Sequence, residues 1–263
     1  MRTGTMSVMT ADARLRLLDQ DAVDDLAQFA ARARRLDEHA ALWLRATETL
    51  LVAMASPLFS ARLGDDTPTL VAVKVLPLAR PGTADYVTEA QAIADRTARM
   101  RSEDDTLLRP PPVEVHEVWT GIAPPRGGWS PVAVVPESAV REVARAGIAE
   151  IAAGAPTGSG ELAVHELRGR VWGRPADALG GMTAGLAFAL DGFGFLGAPG
   201  MDDSAASAGP DAVPTGAVPK HAVPDGTSAD GTGTVRLLRS GRWQRAAGRY
   251  GDVLARVRAH RAG

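Results

Sequence analysis

The sequence contains no cysteine, which excludes a disulfide framework, a thiolate nucleophile and a zinc site with cysteine ligands. A chain that needs no oxidised crosslink suits a reducing compartment. Lysine is also scarce, because only Lys74 and Lys220 among the 29 basic residues are lysines. We attribute this skew to a GC-rich genome, so an arginine in this chain does not by itself indicate a phosphate ligand.

Long hydrophobic runs are missing as well. The most apolar stretch, residues 50–59, is too short to span a bilayer and is interrupted by Pro57. Residues 1–10 lack the apolar core and the cleavage site of a secretory signal, and Met6 and Met9 are further candidate start positions. The sequence therefore predicts a soluble cytoplasmic protein that has no membrane partner.

The residue types that carry catalysis and metal binding form no recognisable set. His116 and His165 are each followed by glutamate, but neither has the second histidine four residues later that a zinc protease helix requires. Residues 71–75 copy the kinase strand whose lysine holds ATP phosphates, yet no His-Arg-Asp follows. We interpret Lys74 as a solvent-facing residue of a half-buried strand. We expect no catalytic residue, no metal ion and no cofactor, and we favour a protein that is not an enzyme.

Residues 198–234 consist almost entirely of small residues, proline and aspartate. Such a segment buries too little apolar surface to offset the entropy lost when it is ordered. Within it Ala-Val-Pro occurs three times at a spacing of five residues, which is typical of repeat slippage in GC-rich DNA; a polyproline II ligand for a partner is the alternative. We predict a disordered insertion over 198–234, while residues 1–197 and 235–263 form one folded domain.

Hydrophobic periodicity predicts an α+β fold in which about four to five helices pack with an antiparallel sheet. The sheet combines a meander of three or four strands over 40–78 with C-terminal strands over 235–257, where a hairpin turns at Ser240-Gly241. A helix through residues 40–55 is the alternative for the first part. The predicted helices are one that begins after Asp19 or Asp21, one over 88–100, one that starts near Pro136 with an apolar stripe from Val140 to Ala152, one over 161–172 and one over 182–193.

Two glycine-containing loops form the first candidate site. A Gly-Gly pair lets the backbone approach an anion, and an arginine can bind a carboxylate or phosphate through two nitrogens. The candidate ligand-binding residues are Arg126, Gly127, Gly128, Trp129, Trp172 and Arg174. The alternative is structural, because the prolines and glycines also suit a turn and the tryptophans suit the edge of a core.

The C-terminal hairpin forms the second candidate site. Eight arginines and one acidic residue occur in the last 29 residues, and arginine beside an aromatic ring is a combination that binds single-stranded nucleic acid. The candidate contacts are Arg236, Arg239, Arg242, Trp243 and Arg245. The whole chain has a net charge of −2, whereas most nucleic-acid-binding proteins have a broad basic surface. The alternative is an edge strand whose arginines resist aggregation.

Four segments carry a resemblance to a protein family. PPRGGW at 124–129, RAGIAE at 145–150, VWGRP at 171–175 and SGRW at 240–243 resemble segments of an actinobacterial family that has no known activity. The resemblance covers most of the chain outside 198–234, and the family members lack that insertion. It implies an actinobacterial lineage and a cytoplasmic setting, and it supplies no substrate, cofactor or catalytic residue.

These patterns favour a non-enzymatic binding or regulatory protein that acts through a protein partner. A binder or enzyme for a small anionic ligand, using Arg126 and Arg174, is one alternative. Binding of single-stranded nucleic acid through the basic hairpin is the other. The oligomeric state is left open by the sequence.

Overall fold

A computed structural model describes residues 14–60, 62, 65–154, 160–197 and 233–257. The fold is α+β, with α-helices and a large antiparallel sheet, as the sequence predicts. The chain divides into two compact units, one comprising Met1–Ala55 and Lys74–Glu117 and the other Ser56–Val73 and Val118–Gly263. Within the described ranges, no helix combines the length and the apolar character that crossing a membrane requires.

The predicted insertion over 198–234 lies almost wholly outside the described residues, so it stays a prediction, as does the single folded domain. Its last residue, Thr234, is described and belongs to a strand, where it pairs with Pro136. The C-terminal strand therefore begins one residue earlier than we expected.

The first unit contains two helices and an antiparallel sheet. Its elements are β1 (Leu15–Arg16), α1 (Gln20–Leu36), β2 (Ala41–Thr47), β3 (Leu50–Leu58), β4 (Thr69–Pro77), β5 (Ala84–Glu89), α2 (Ala90–Ser102) and β6 (Leu107–Leu108). β3 and β4 cross the division, since residues 56–58 and 69–73 belong to the second unit. β2 pairs with both β3 and β5. Residues 41–47 and 50–55 are thus in strands, which excludes the helical alternative.

Helix α1 begins where its capping residue predicts. The Asp19 carboxylate accepts a hydrogen bond from the backbone N–H of Ala22 at 2.9 Å, which satisfies one of the free donors at the helix start. The buried side chains lie on one face: Ala22, Val23, Leu26, Phe29, Ala30 and Ala33. α2 starts at Ala90 and not at residue 88, because Thr88 belongs to β5 and pairs with Leu42. This short strand was not predicted from the sequence.

Lys74 does not face solvent, and this interpretation was wrong. Its side chain is only 13% exposed, and its Nζ lies 2.9 Å from a carboxylate oxygen of Asp25 on α1. A lysine buried to this extent requires a charged partner. The kinase-like strand therefore carries a structural ion pair between β4 and α1.

The second unit contains three helices and the C-terminal strands. Its elements are a 3-10 helix (Val118–Gly121), β7 (Ser130–Pro136), α3 (Glu137–Gly154), α4 (Glu161–Gly173), β8 (Pro175–Ala176), a 3-10 turn (Asp177–Leu179), β9 (Met182–Thr183), α5 (Gly185–Gly192), β10 (Thr234–Ser240), β11 (Trp243–Ala247) and β12 (Asp252–Arg256). The strand order is β4-β12-β11-β10-β7. β12 pairs with residues 69–73 of β4, so the C-terminal strands join the last strand predicted within 40–78.

The hairpin turn is shifted by one residue from its predicted place. Ser240 pairs with Trp243, so the two turn residues are Gly241 and Arg242. Gly241 has φ of +55°, a conformation that costs little only without a Cβ. The shift makes Arg242 a turn residue at the end of the sheet.

β7 was not predicted because proline occupies its second and its last position. Pro131 and Pro136 cannot donate to a ladder, which argues against a central strand. β7 is the last strand of its sheet order, and proline is tolerated at such an edge. A register shift opposite Leu237 and Leu238 also interrupts its pairing with β10.

The helices of this unit pack around Trp172, which stacks on Phe188 with ring centroids 4.6 Å apart. A side-chain carbon at Gly147 of α3 would overlap the Trp172 ring. The predicted stripe on α3 is buried at Val140, Ala144 and Gly147, but Ile148 is exposed. α4 matches its prediction closely, whereas α5 begins at Gly185 because Met182 and Thr183 form β9.

Candidate functional site

An open pocket of about 440 Å³ lies within the second unit, at one end of its sheet. Trp243, Arg256 and Thr69 line it, and they occupy directly paired positions on β11, β12 and β4. Directly paired residues in antiparallel strands project from the same face of a sheet. The strand register therefore places an indole, a guanidinium and a hydroxyl in one row.

The β3–β4 loop forms a second wall, to which Ser60, Arg62, Asp65 and Thr67 contribute. The Ser60 hydroxyl lies 3.1 Å from the carbonyl oxygens of both Arg62 and Asp65, so its hydrogen is shared between them. The Asp65 carboxylate accepts the backbone N–H of Thr67 at 2.8 Å. Such local side-chain bonds give the loop a defined shape without a regular ladder.

Helix α4 positions this loop. Nε2 of His165 lies 3.2 Å from the second carboxylate oxygen of Asp65, and the Arg168 guanidinium donates to the carbonyl of Pro57 at 3.2 Å. A side-chain carbon at Gly169 would overlap the Thr67 hydroxyl. The lack of a side chain at Gly169 thus permits the loop to lie directly against the helix.

The third wall is apolar and comes from the segment that begins with the 3-10 helix. Val118, Trp119 and Ile122 line the pocket. Val118 is 71% exposed and Ile122 is 41% exposed, whereas Trp119 and Trp243 are only 4% and 8% exposed. The two indoles therefore form a largely covered floor, and the aliphatic side chains form an open rim.

The charge of the pocket is mainly positive. Arg62, Arg242 and Arg256 are among its lining residues, together with one acidic residue, Asp65. In the part of the chain that the structure describes, no carboxylate forms an ion pair with any of these three arginines. Guanidinium groups bind carboxylates and phosphates through paired N–H donors. The arrangement can therefore hold an anion.

The structure divides the hairpin residues singled out from the sequence. Arg242 and Trp243 line the pocket. Arg236 and Arg245 project from the same face as Asp252, as the strand register shows, and Arg245 forms an ion pair with Asp252. Arg239 is exposed at the end of β10, with its side chain on the opposite face.

Burial sets the protonation behaviour of Asp252. It raises the pKa of this carboxyl above its ordinary value, while the charges of Arg245 and Arg236 and the hydrogen bond from Arg245 partly offset the shift. Removal from water penalises the charged form of a carboxyl group. Two of the five hairpin candidates thus have a structural partner.

The loop at 124–129 lies beside the hairpin. Gly128 has φ of +74°, and a side-chain carbon there would lie 3.6 Å from the Ser240 hydroxyl oxygen. The guanidinium carbon of Arg245 lies 5.8 Å from the centroid of the Trp129 ring, within the range of a cation–π contact. The PPRGGW and SGRW segments are therefore neighbours in space.

The other members of the first candidate set have different surroundings. Arg126 and Gly127 are exposed. Arg174 forms an ion pair with Glu150 of α3, and Trp172 is buried in the helical core against Phe188. The VWGRP segment therefore contributes to helix packing.

Sequence reasoning did not single out Arg62, Arg256 or Trp119. Arg62 is one arginine in a loop, and Arg256 is one of eight arginines in the C-terminal segment, so neither stands out without coordinates. An isolated tryptophan after a proline-rich linker gives no stronger signal. Among the described residues, no group of three or more His, Asp or Glu side chains is arranged to hold a metal ion.

Two family models match the chain. One, described as a domain of unknown function (DUF8185), matches residues 124–260, and another, described as a domain of unknown function (DUF8010), matches residues 10–120. No curated protein and no solved structure matches the chain. Arg242 and Arg256 lie in the first matched range, while Arg62 lies in the second. The pocket thus draws on both ranges, although all its residues belong to one compact unit.

Proposed function

The chain belongs to the DUF8185 family of domains of unknown function, and from the pocket in its second unit we propose that it is a non-enzymatic binding protein for a small organic anion. The supporting observation is the meeting of Arg62, Arg242 and Arg256 at one open pocket without carboxylate partners among the described residues. Like charges near one another are unfavourable unless an anion joins them. A bound anion would supply these arginines with a charged partner.

The dimensions of the pocket also support a small ligand. Its volume of about 440 Å³ lies within the range of ligand-binding clefts, which combine an apolar lining with a few placed polar groups. The aliphatic rim of Val118 and Ile122 would contact the uncharged part of the ligand. The hydroxyl group of Thr69 is available to orient it.

The proposal keeps the regulatory role expected from the sequence. We propose that ligand occupancy is passed to a protein partner, and we place this activity in the cytoplasm. The lack of cysteine supports that location, and the PPRGGW, VWGRP and SGRW segments support an actinobacterial origin. We prefer a small anion to single-stranded nucleic acid because Arg245 already pairs with Asp252 and Arg239 projects from the opposite face of the hairpin.

The test is calorimetric titration of the full chain with phenyl phosphate, with benzoate and with neutral benzyl alcohol. We expect at least one anion to bind and the neutral alcohol not to bind. Arg242→Gln and Arg256→Gln should each weaken anion binding about tenfold or more, because a hydrogen bond to a charged group contributes about 1.5–3 kcal/mol. Arg239→Gln is the matched control, since it removes the same charge from an exposed position outside the pocket.

Three outcomes would contradict this function. The first is that neither anion binds at about 10 mM, a concentration that corresponds to a binding free energy of roughly 3 kcal/mol. The second is that Arg239→Gln weakens binding as much as Arg242→Gln does. The third is that a single-stranded oligonucleotide binds tightly and loses affinity when Arg236 and Arg239 are replaced. Chemical conversion of a bound anion by stoichiometric protein would contradict the non-enzymatic part alone.

A further inference from the structure

We infer that the anionic group held by this pocket is the dianion of a phosphate monoester on a small molecule with a compact apolar group. The inference rests on the proposed function and adds the chemical class of the ligand. Its basis is the match between the groups that line the pocket and the two parts of such a ligand.

The number of charges favours a phosphate monoester. Three arginines and one aspartate among the described residues line the pocket, and the aspartate, Asp65, is already shared with His165 and the N–H of Thr67. A positive excess of about two charges is left to be neutralised. A phosphate monoester carries about −1.5 to −2 charges at neutral pH and offers three acceptor oxygens.

Singly charged anions fit this set of donors less well. A carboxylate has one negative charge and two oxygens, so one arginine satisfies it through two parallel hydrogen bonds, and about one positive charge of the excess would stay uncompensated. A sulfate ester and an internal phosphodiester of a nucleic acid also carry one charge each. The pocket should therefore distinguish anions by charge even where their shapes are the same.

The apolar part of the ligand is assigned to the rim. Val118 and Ile122 are large apolar side chains that stay exposed at the pocket, and covering such surface is favourable. Trp119 and Trp243 are too covered to offer a full ring face for stacking. A compact group that lies against the aliphatic rim therefore fits better than a base stacked between two indoles.

The experiment is isothermal titration of the full chain with phenyl phosphate, phenyl sulfate and methyl phosphate at one ionic strength and pH 7.5. Phenyl sulfate keeps the shape of phenyl phosphate but has one charge fewer, and methyl phosphate keeps the charge but lacks the ring. We expect phenyl phosphate to bind about tenfold more tightly than phenyl sulfate, which is the effect of about one charge-assisted hydrogen bond. Methyl phosphate should also bind more weakly than phenyl phosphate.

Variants assign each part of the ligand to its side chains. Arg62→Gln and Arg256→Gln should reduce the preference for phosphate over sulfate, whereas the exposed control Arg239→Gln should keep it. Val118→Ser should weaken phenyl phosphate but leave methyl phosphate unchanged. Arg62 and Val118 are exposed, so these variants keep the test valid if Arg256→Gln fails to fold.

The outcomes separate this inference from the proposed function. Equal affinities for phenyl phosphate and phenyl sulfate, or a preference that survives Arg62→Gln and Arg256→Gln, would overturn the phosphate monoester while leaving an anion pocket. Equal losses for phenyl and methyl phosphate in Val118→Ser would overturn the placement of the apolar group. Failure of all three anions, together with benzoate, to bind would overturn the proposed function itself.

Discussion

Glu137, in the first turn of α3, contacts two distant points of the chain, and removal of its carboxylate should destabilise the second unit. Its Oε2 accepts the backbone N–H of Gly197 at 2.8 Å and pairs with Arg141 at 3.1 Å. The Glu137 backbone N–H in turn donates to the carbonyl of Gly233 at 2.9 Å. Glu137 therefore holds together residues 197 and 233, which flank the segment outside the described residues.

The expected cost of Glu137→Ala follows from these contacts. The side chains of Glu137 and Arg141 are only 9% and 17% exposed, and removing one partner of a buried ion pair costs about 3–5 kcal/mol. Arg141 keeps two other partners, Asp191 at 3.6 Å and the carbonyl of Gly197, which reduces the loss. We expect the free energy of unfolding to fall by about 3 kcal/mol, with a decrease in Tm of roughly 6–12 °C.

Urea denaturation followed by tryptophan fluorescence measures this change, because Trp172 is buried in the same unit. Glu137→Gln keeps an acceptor for Gly197 and should lose about half as much free energy. Glu142→Ala is the matched control, since Glu142 is exposed on the same helix and should change stability by less than about 0.5 kcal/mol. A loss below about 1 kcal/mol for Glu137→Ala, or one equal to that of Glu142→Ala, would refute the reasoning.

Three further predictions concern stability. Gly147→Ala should lower the free energy of unfolding by about 1–3 kcal/mol or more, because the added carbon overlaps the Trp172 ring; an unchanged urea midpoint would count against this packing. Burial raises the folded-state pKa of Asp252, so ionisation of this carboxyl lowers the free energy of unfolding at neutral pH. This loss of stability disappears as the pH falls through the folded-state pKa toward the ordinary value of 3.8. The stability of the wild type relative to Asp252→Asn should therefore rise between pH 7 and pH 3 in urea titrations, and a fall would show that attraction to Arg245 outweighs burial. Deleting residues 198–232 and joining the ends with a short Gly-Ser linker should preserve cooperative unfolding, because residues 197 and 233 both contact Glu137; loss of the cooperative transition would contradict this.

The elements that local sequence predicts well are those whose stabilising contacts are themselves local. Helix α1 follows from the Asp19 cap and a 3.6-residue apolar period. The β10–β11 hairpin follows from a glycine turn between alternating residues. β5 and β7 were missed because one adjoins a helix directly and the other has proline at its second and its last position.

The candidate site could be anticipated only in part. Arg242 and Trp243 were singled out because an arginine and an aromatic residue are adjacent in a basic hairpin, and both line the pocket. Their expected role was contact with nucleic acid. Two neighbouring arginines do not extend such a surface, because Arg245 pairs with Asp252 and Arg239 projects from the other face of the hairpin. Composition records how many arginines a segment has, but only coordinates show which of them have partners.

By itself the sequence determined the fold class, most helices and the C-terminal hairpin, because each depends on periodicity, capping or turn chemistry within a few residues. Only the tertiary structure decided that Arg62, Arg242 and Arg256 share one pocket. Their meeting depends on the register between β4, β12 and β11 and on α4 holding the β3–β4 loop through His165. These contacts join residues up to about 190 positions apart, and separations of that size leave no periodic trace in a sequence.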